Sequence, residues 1–105
     1  MATLVIHAPS EKVQSEQKRS FESTVRLGVG DGYAIARDLR ARITLGCRVV
    51  VLDKGGERRA EGTLVRLVAT SKTGNGIQRY DVHMKDLKEV PYKPENLNRN
   101  GVAVI

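Results

Sequence analysis

Two apolar runs separated by a glycine-bearing corner constrain the fold of this chain more than any other feature. The first run, Val49–Leu52, is apolar at consecutive positions, which indicates a strand buried on both faces. The corner at 53–57 contains two glycines, and a second run follows over Thr63–Ala69. This pattern predicts a central β-hairpin, and we expect Val50 and Leu67 to lie in the core.

Shorter segments predict the other strands. Residues 2–7 form a mostly apolar run, and residues 78–84 alternate between apolar and polar side chains, as a half-buried strand does. Residues 25–29 are predicted to be a short extended segment, and residues 86–90 a short hairpin or turn. Residues 102–105 are predicted to be a terminal strand. The polar segment 10–24 predicts a loop or a mobile arm, with room for one helical turn.

One main helix is predicted at about residues 33–44. Ile35, Leu39 and Ile43 recur every four residues and would share one face of the helix. Asp31 stands in a glycine-rich turn just before this segment and would cap its first turn. One helix with five or six short strands is typical of an α+β, mainly β fold. We expect it to be a small pseudo-barrel formed by the whole chain as a single domain.

The positive charge is concentrated in the middle of the chain. The net charge is +6, and residues 18–79 alone hold 13 basic and six acidic side chains, a net of +7. Arginine outnumbers lysine by 11 to seven, and the planar guanidinium fork suits phosphate. A basic domain of this kind favours polyanions, nucleic acid first; the alternative is a soluble surface that happens to be basic.

Nothing in the sequence points to catalysis, a metal or a cofactor. His7 and His83 are the only histidines and Cys47 is the only cysteine, whereas metal sites use clustered ligands. Because Cys47 begins an apolar strand, we expect a buried, inert thiol. We therefore expect a non-enzyme. No stretch is long and apolar enough to span a membrane, the start lacks signal-peptide features, and the single thiol fits a cytoplasmic protein.

Part of the chain resembles a known superfamily. Gly46–Val51, GCRVVV, and Gly62–Val68, GTLVRLV, follow a basic segment in the order seen in the PUA-like superfamily, in particular in EVE and ASCH domains. The resemblance covers residues 25–70 and implies a pseudo-barrel that binds RNA or DNA. The same hairpin is also similar to the KOW motif of SH3-like barrels in ribosomal and transcription proteins, which contact RNA.

Candidate nucleic-acid-binding residues lie on the basic face of the predicted helix, opposite its apolar face, at the hairpin corner, in the glycine-rich loop 71–76 and on the strand 78–84. Guanidinium groups beside an aromatic ring can hold phosphate and stack on unpaired bases, so RNA is favoured over DNA. The candidates are Tyr33, Arg37, Arg40, Arg58, Arg59, Lys72 and Tyr80. The alternative is a protein-interaction or assembly module, in which the apolar segment 101–105 pairs with a strand of another chain.

Overall fold

The strands of this protein form one curled sheet. The computed structural model describes residues 2–8, 20–53, 58–74, 76–95 and 101–105, without the side chains of 72–74. The elements are β1 (Thr3–Ala8), α1 (Phe21–Leu27), β2 (Val29–Ala34), α2 (Arg37–Arg40), β3 (Arg48–Asp53), β4 (Arg59–Gly74), β5 (Ile77–Val90) and β6 (Val102–Val104). The sheet has six strands in the order β2-β5-β4-β3-β1-β6 and curls into a half-barrel. The predicted class, mainly β with one main helix, is confirmed.

Strand β3 is buried on both faces. It pairs in parallel with β1 and antiparallel with β4. Val49 and Val51 belong to the main core, while Val50 and Leu52 form a second cluster with Val5 on the opposite face. The consecutive apolar residues therefore mark a strand covered on both sides, as predicted.

The predicted central hairpin is formed by β3 and β4, and β4 forms a second, longer hairpin with β5, in which both strands bend as they pair. Residues 86–90 continue β5 rather than forming a turn. The pairing shifts by one residue between Glu61 and Thr63, where Asp86 on the opposite strand has a φ of 54°. Gly62 permits this bulge, because a Cβ there would lie 2.8 Å from the Lys85 carbonyl oxygen. The bulge bends the hairpin without ending it.

Helix α1 has caps at both ends. The Ser20 hydroxyl accepts a hydrogen bond from the Ser23 N–H at 3.2 Å. Gly28 ends the helix in the left-handed conformation with a φ of 71°, which glycine adopts without strain. Phe21 and Thr24 are buried beneath the helix. Caps and two buried side chains explain why so short a segment is helical.

The sequence placed the helix in the wrong segment. Residues 20–24 form the N-cap and first turn of α1, within the one helical turn that the prediction for 10–24 allowed. The prediction of an extended segment is wrong for 25–27, which continue α1. Residues 10–19 lie outside the described part. Within the predicted helix at 33–44, only Arg37–Arg40 is helical. The four-residue spacing instead reflects contact with the core, where Ile35 is buried and Leu39 and Ile43 pack against it.

The glycine-rich segment before α2 is an edge strand rather than a turn. A Cβ on Gly30 would lie 2.8 Å from the ring of Tyr33, so glycine makes room for that side chain. At the following bulge, the Gly32 N–H donates to the Asp81 carboxylate at 3.0 Å and its carbonyl accepts from Arg79. The neighbouring strand β5 thus holds β2 in place. Asp31 lies within β2 and caps no helix.

Strand β6 uses its apolar side chains within this domain. It pairs antiparallel with β1, which confirms the predicted terminal strand. Val102 and Val104 are buried in the main core. The apolar character that suggested a partner-binding segment is therefore explained by packing inside the same chain.

Candidate nucleic-acid interface

Arg58, predicted to bind phosphate at the hairpin corner, is held by carboxylates of the same chain. Its Nη2 lies 2.7 Å from Glu89 Oε1, and its Nε donates to the second oxygen of that carboxylate at 3.1 Å. Its Nη1 lies 2.8 Å from Glu22 Oε1, and its Cζ stands 4.8 Å from the centre of the Phe21 ring. Hydrogen bonding to Glu89, and then to Glu22, raises the pKa of Arg58 above its ordinary value. Arg58 therefore joins α1 to the β4–β5 hairpin.

Arg59 is buried, with a side chain only 8% exposed. Its Nε lies 3.0 Å from Glu61 Oε2, and its Nη1 lies 2.8 Å from both Glu95 Oε2 and the Lys93 carbonyl oxygen. Burial alone would lower the pKa of Arg59, but the hydrogen bonds to Glu95 and Glu61 outweigh it and the pKa is raised. Arg59 lies in β4, where its backbone pairs with Leu52 on β3. Since its side chain binds Glu95 and the Lys93 carbonyl, the ion cluster connects residues 93–95 to the sheet.

Both corner arginines, which the sequence proposed as phosphate ligands, are engaged by acidic side chains of the same chain. Each guanidinium group is already bound by two carboxylates. The rest of the corner, residues 54–57, lies outside the described residues, and so does the side chain of Lys72.

Tyr33 does not lie on an exposed surface, contrary to the sequence prediction. Its side chain is fully buried in the main core, and its hydroxyl donates to the His7 carbonyl at 3.4 Å. Burial, with the negative charge of Asp31 adding to it, raises the pKa of Tyr33 above its ordinary value. The residue stays neutral and cannot stack on a ligand at the surface.

The basic turn at residues 37–42, which we call the α2 turn, keeps its arginines available. Arg37 and Arg42 are exposed and Arg40 is half-buried. The guanidinium of Arg40 lies over the ring of Tyr80, with its Cζ 5.0 Å from the ring centre. Among the described residues, no carboxylate lies within ion-pair distance of these three arginines. Asp38 is the only acidic residue in the turn.

Backbone hydrogen bonds and two apolar anchors fix the shape of the α2 turn. The N–H of Arg40 donates to the Ala36 carbonyl at 3.0 Å, and the N–H of Arg42 donates to the Leu39 carbonyl at 3.0 Å. Leu39 and Ile43 pack against the main core, so the turn is docked on the sheet. The arginines are therefore presented from a fixed backbone.

Of the predicted site residues, the structure brings together Arg40 and Tyr80, with Arg37 on the same turn. It adds Arg42, which the helical prediction left off the basic face. The N–H of Arg42 bonds to the Leu39 carbonyl, so Arg42 belongs to the same turn as Arg40. The signal in the sequence was the spacing RDLRAR itself, with three arginines in six residues.

The described residues contain no group of three or more His, Cys, Asp or Glu side chains that could hold a metal ion. No helix in the described part of the chain is long and apolar enough to cross a membrane. Cys47 is fully buried, as expected. No family model, curated protein or solved structure matches this chain.

Proposed function

We propose that this protein is a non-catalytic nucleic-acid-binding domain that binds single-stranded RNA through the α2 turn and Tyr80. The observation that carries the proposal is the Arg40–Tyr80 stack, flanked by Arg37 and Arg42 with no described carboxylate paired to any of the three. The proposal agrees with what the resemblance to PUA-like domains implies.

Electrostatics favours the α2 turn over the other basic segments. Arg58 and Arg59 are neutralised by carboxylates, and Arg48 lies 3.4 Å from Glu61. A phosphate that approached them would have to displace a bound carboxylate. Residues 37–42 instead carry three arginines and one aspartate, so phosphate meets a net positive surface.

The Arg40–Tyr80 stack favours an unpaired base over a duplex. A guanidinium plane held over a tyrosine ring loses little conformational freedom on binding, because the ring already fixes its orientation. Bases can stack on a guanidinium plane, and such stacking requires bases that are not paired within a helix. Arg37 and Arg42 would then contact the phosphates on either side of that base.

An unsatisfied donor supports the same site. The Nε of Arg40 is buried without a hydrogen-bond partner among the described residues. A buried donor left unpaired costs about 1–3 kcal/mol. A ligand oxygen reaches this group only if the Arg40 side chain turns outward, and the hydrogen bond then recovers part of that cost.

The test compares two double variants that remove equal charge. Arg37→Ala with Arg42→Ala removes the exposed arginines of the α2 turn; Lys85→Ala with Lys88→Ala removes two exposed lysines from β5. Binding of a single-stranded RNA is measured by fluorescence anisotropy across a series of salt concentrations. Removing one phosphate-binding side chain lowers the salt slope by roughly 0.7 for a single strand.

The arginine variant is expected to lose affinity and to show a slope lower by about 1.4. The lysine variant is expected to retain both. Equal losses in the two variants would mean that the whole positive surface acts as a diffuse field, and the proposed site would be wrong. A wild-type protein that binds no nucleic acid at low salt would refute the proposed function itself.

A further inference from the structure

Strand β4 extends beyond the strand that covers one of its edges. Its register with β3 ends at Thr63, and the last backbone hydrogen bonds on that side join Leu64 to Gly46 and Cys47. Beyond this point, residues 66–69 pair with β5 on the other side, and no described strand pairs with their opposite edge. Within the described part of the chain, one edge of this segment of β4, which we call the open edge, therefore has no neighbouring strand.

The register shows which backbone groups face the open edge. Residues along a strand hydrogen bond alternately to one neighbour and to the other. Leu64 bonds toward the β3 side, and Val65 is an extra residue in the pairing with β5. The alternation shifts by one at this bulge, so Leu67 and Ala69 direct their N–H and C=O groups to the open edge.

The side chains along this edge are apolar and carry little charge. The sequence of residues 65–71 is VRLVATS, with Arg66 as its only charged residue. Val65 is 41% exposed and Val68 is 40% exposed. Exposed strand edges are usually protected by charge, proline or covering segments because they attract other strands. This edge lacks such protection among the described residues apart from one arginine.

We propose that two copies of this chain pair through this edge, antiparallel, about a twofold axis at Val68. Leu67 of each copy then lies opposite Ala69 of the other, and each such pair exchanges both of its backbone hydrogen bonds. Arg66 faces Thr70, so no like charges stand opposite each other. The two Arg66 residues are offset by four positions, roughly 13 Å.

A second copy fits this edge because the sequence is complementary to itself in that register. A twofold interface uses the same patch on both partners. Among registers centred on a valine, only the one at Val68 brings the outward-facing N–H and C=O groups of the two copies opposite each other. The two Val68 side chains meet in a non-hydrogen-bonded pair, where Cα atoms are about 4.5 Å apart. The proposal does not depend on the proposed function.

Disulfide trapping tests the register with a matched control. Val68→Cys places two thiols at the axis, within the Cα range of roughly 4.4–6.8 Å that a disulfide needs. Val65→Cys has the same exposure, but its two copies would lie roughly 20 Å apart. Under mild oxidation V68C is expected to form a covalent dimer on denaturing gels, while V65C is not. The wild type checks that the buried Cys47 stays unreactive.

Analytical ultracentrifugation tests the dimer without a crosslink. Nuclease-treated protein in high salt is expected to sediment faster as its concentration rises. Val68→Lys places two positive charges opposite each other at the axis, so this variant is expected to remain monomeric. The proposal is overturned if the wild type stays monomeric at every concentration, if V68K still dimerises, or if V68C and V65C crosslink equally. None of these outcomes bears on RNA binding, which the α2 turn variants test separately.

Discussion

Two basic segments of this protein look alike in sequence and differ in structure. The corner pair, Arg58 and Arg59, is enclosed by carboxylates at 2.7–3.0 Å. In the α2 turn, Arg37 and Arg42 are exposed, and Arg40 rests on a tyrosine ring instead of an acid. The difference lies entirely in what the fold brings next to each guanidinium group.

The comparison shows that local arginine density does not identify a binding surface. Glu61 lies only two residues from Arg59, but the other three acids that neutralise the corner, Glu22, Glu89 and Glu95, are each more than 30 residues away from their partners in the chain. They arrive there through α1, through the pairing of β4 with β5, and through the segment that follows β5. A basic segment becomes a candidate for ligand binding when the fold brings no acid to it.

The largest expected effect is on stability, at Arg59. Arg59→Ala leaves the carboxylates of Glu61 and Glu95 close together and half-buried without their cation. Removing one partner of a buried ion pair typically costs about 3–5 kcal/mol; Glu61 keeps some exposure, so we expect a loss of about 3 kcal/mol. Urea unfolding measures it, and RNA binding by the folded variant is expected to be unchanged.

Arg42→Ala is the matched control, since it also removes one arginine. Its side chain is exposed, so the unfolding free energy is expected to change by less than about 0.5 kcal/mol, while RNA affinity falls. If Arg59→Ala weakened RNA binding by the folded protein as much as Arg42→Ala does, the distinction between a structural and a ligand-binding cluster would be wrong.

The second effect separates the two tyrosines that the sequence proposed for stacking. Tyr80→Leu keeps an apolar side chain but removes the ring under Arg40. We expect a loss of about 1 kcal/mol in RNA binding, the lower end for one stacked base, because Arg40 lies between the ring and the ligand. Tyr33→Phe is expected to leave RNA binding unchanged and to lower stability by about 1 kcal/mol, because the hydrogen bond to His7 is removed. Anisotropy and thermal unfolding of both variants decide the matter.

The third effect concerns the shape of the guanidinium group. Arg58→Lys keeps the charge but removes the two-pronged bond to Glu89 and the packing against Phe21. Since the cluster is exposed, we expect stability to fall by about 0.5–1 kcal/mol. Arg42 has no ion-pair partner among the described residues, so Arg42→Lys is expected to leave stability unchanged. Equal effects on the unfolding free energy would remove the evidence that the Arg58 cluster joins α1 to the hairpin.

The sequence predicted the parts of the fold that depend on one strong local pattern. The run Val49–Leu52 could form only a strand covered on both faces, and β3 is such a strand. The helix was misplaced because its four-residue spacing is compatible with any segment that touches the core repeatedly. Pairing of β2 with β5, more than 40 residues away, decides that Tyr33 and Ala34 are extended. Ser20 and Gly28 are residue types that often cap helices, but the segment between them is too short for its sequence pattern to predict a helix.

The candidate site was predictable only where it did not depend on distant partners. Arg37 and Arg40 stand on a turn closed by local backbone hydrogen bonds, whereas the contact of Arg40 with Tyr80 joins residues 40 positions apart. Arg58 and Arg59 needed knowledge of which acids the sheet would bring alongside. Tyr33 was misplaced because its predicted exposure followed from the wrong helix.

The smallest effect is a pH dependence of the Arg58 cluster. Hydrogen bonding from Arg58 lowers the pKa of Glu89, so this ion pair stabilises the fold above the ordinary glutamate pKa of 4.5 and the contribution is lost as the pH falls through the lowered native value. Glu89 is 46% exposed, and solvent screening keeps the contribution below about 1 kcal/mol. Urea unfolding between about pH 6 and pH 3 should therefore show the wild type losing more stability on acidification than Glu89→Gln. The difference should shrink in high salt, and parallel pH curves would show that Glu89 does not hold Arg58 away from ligands.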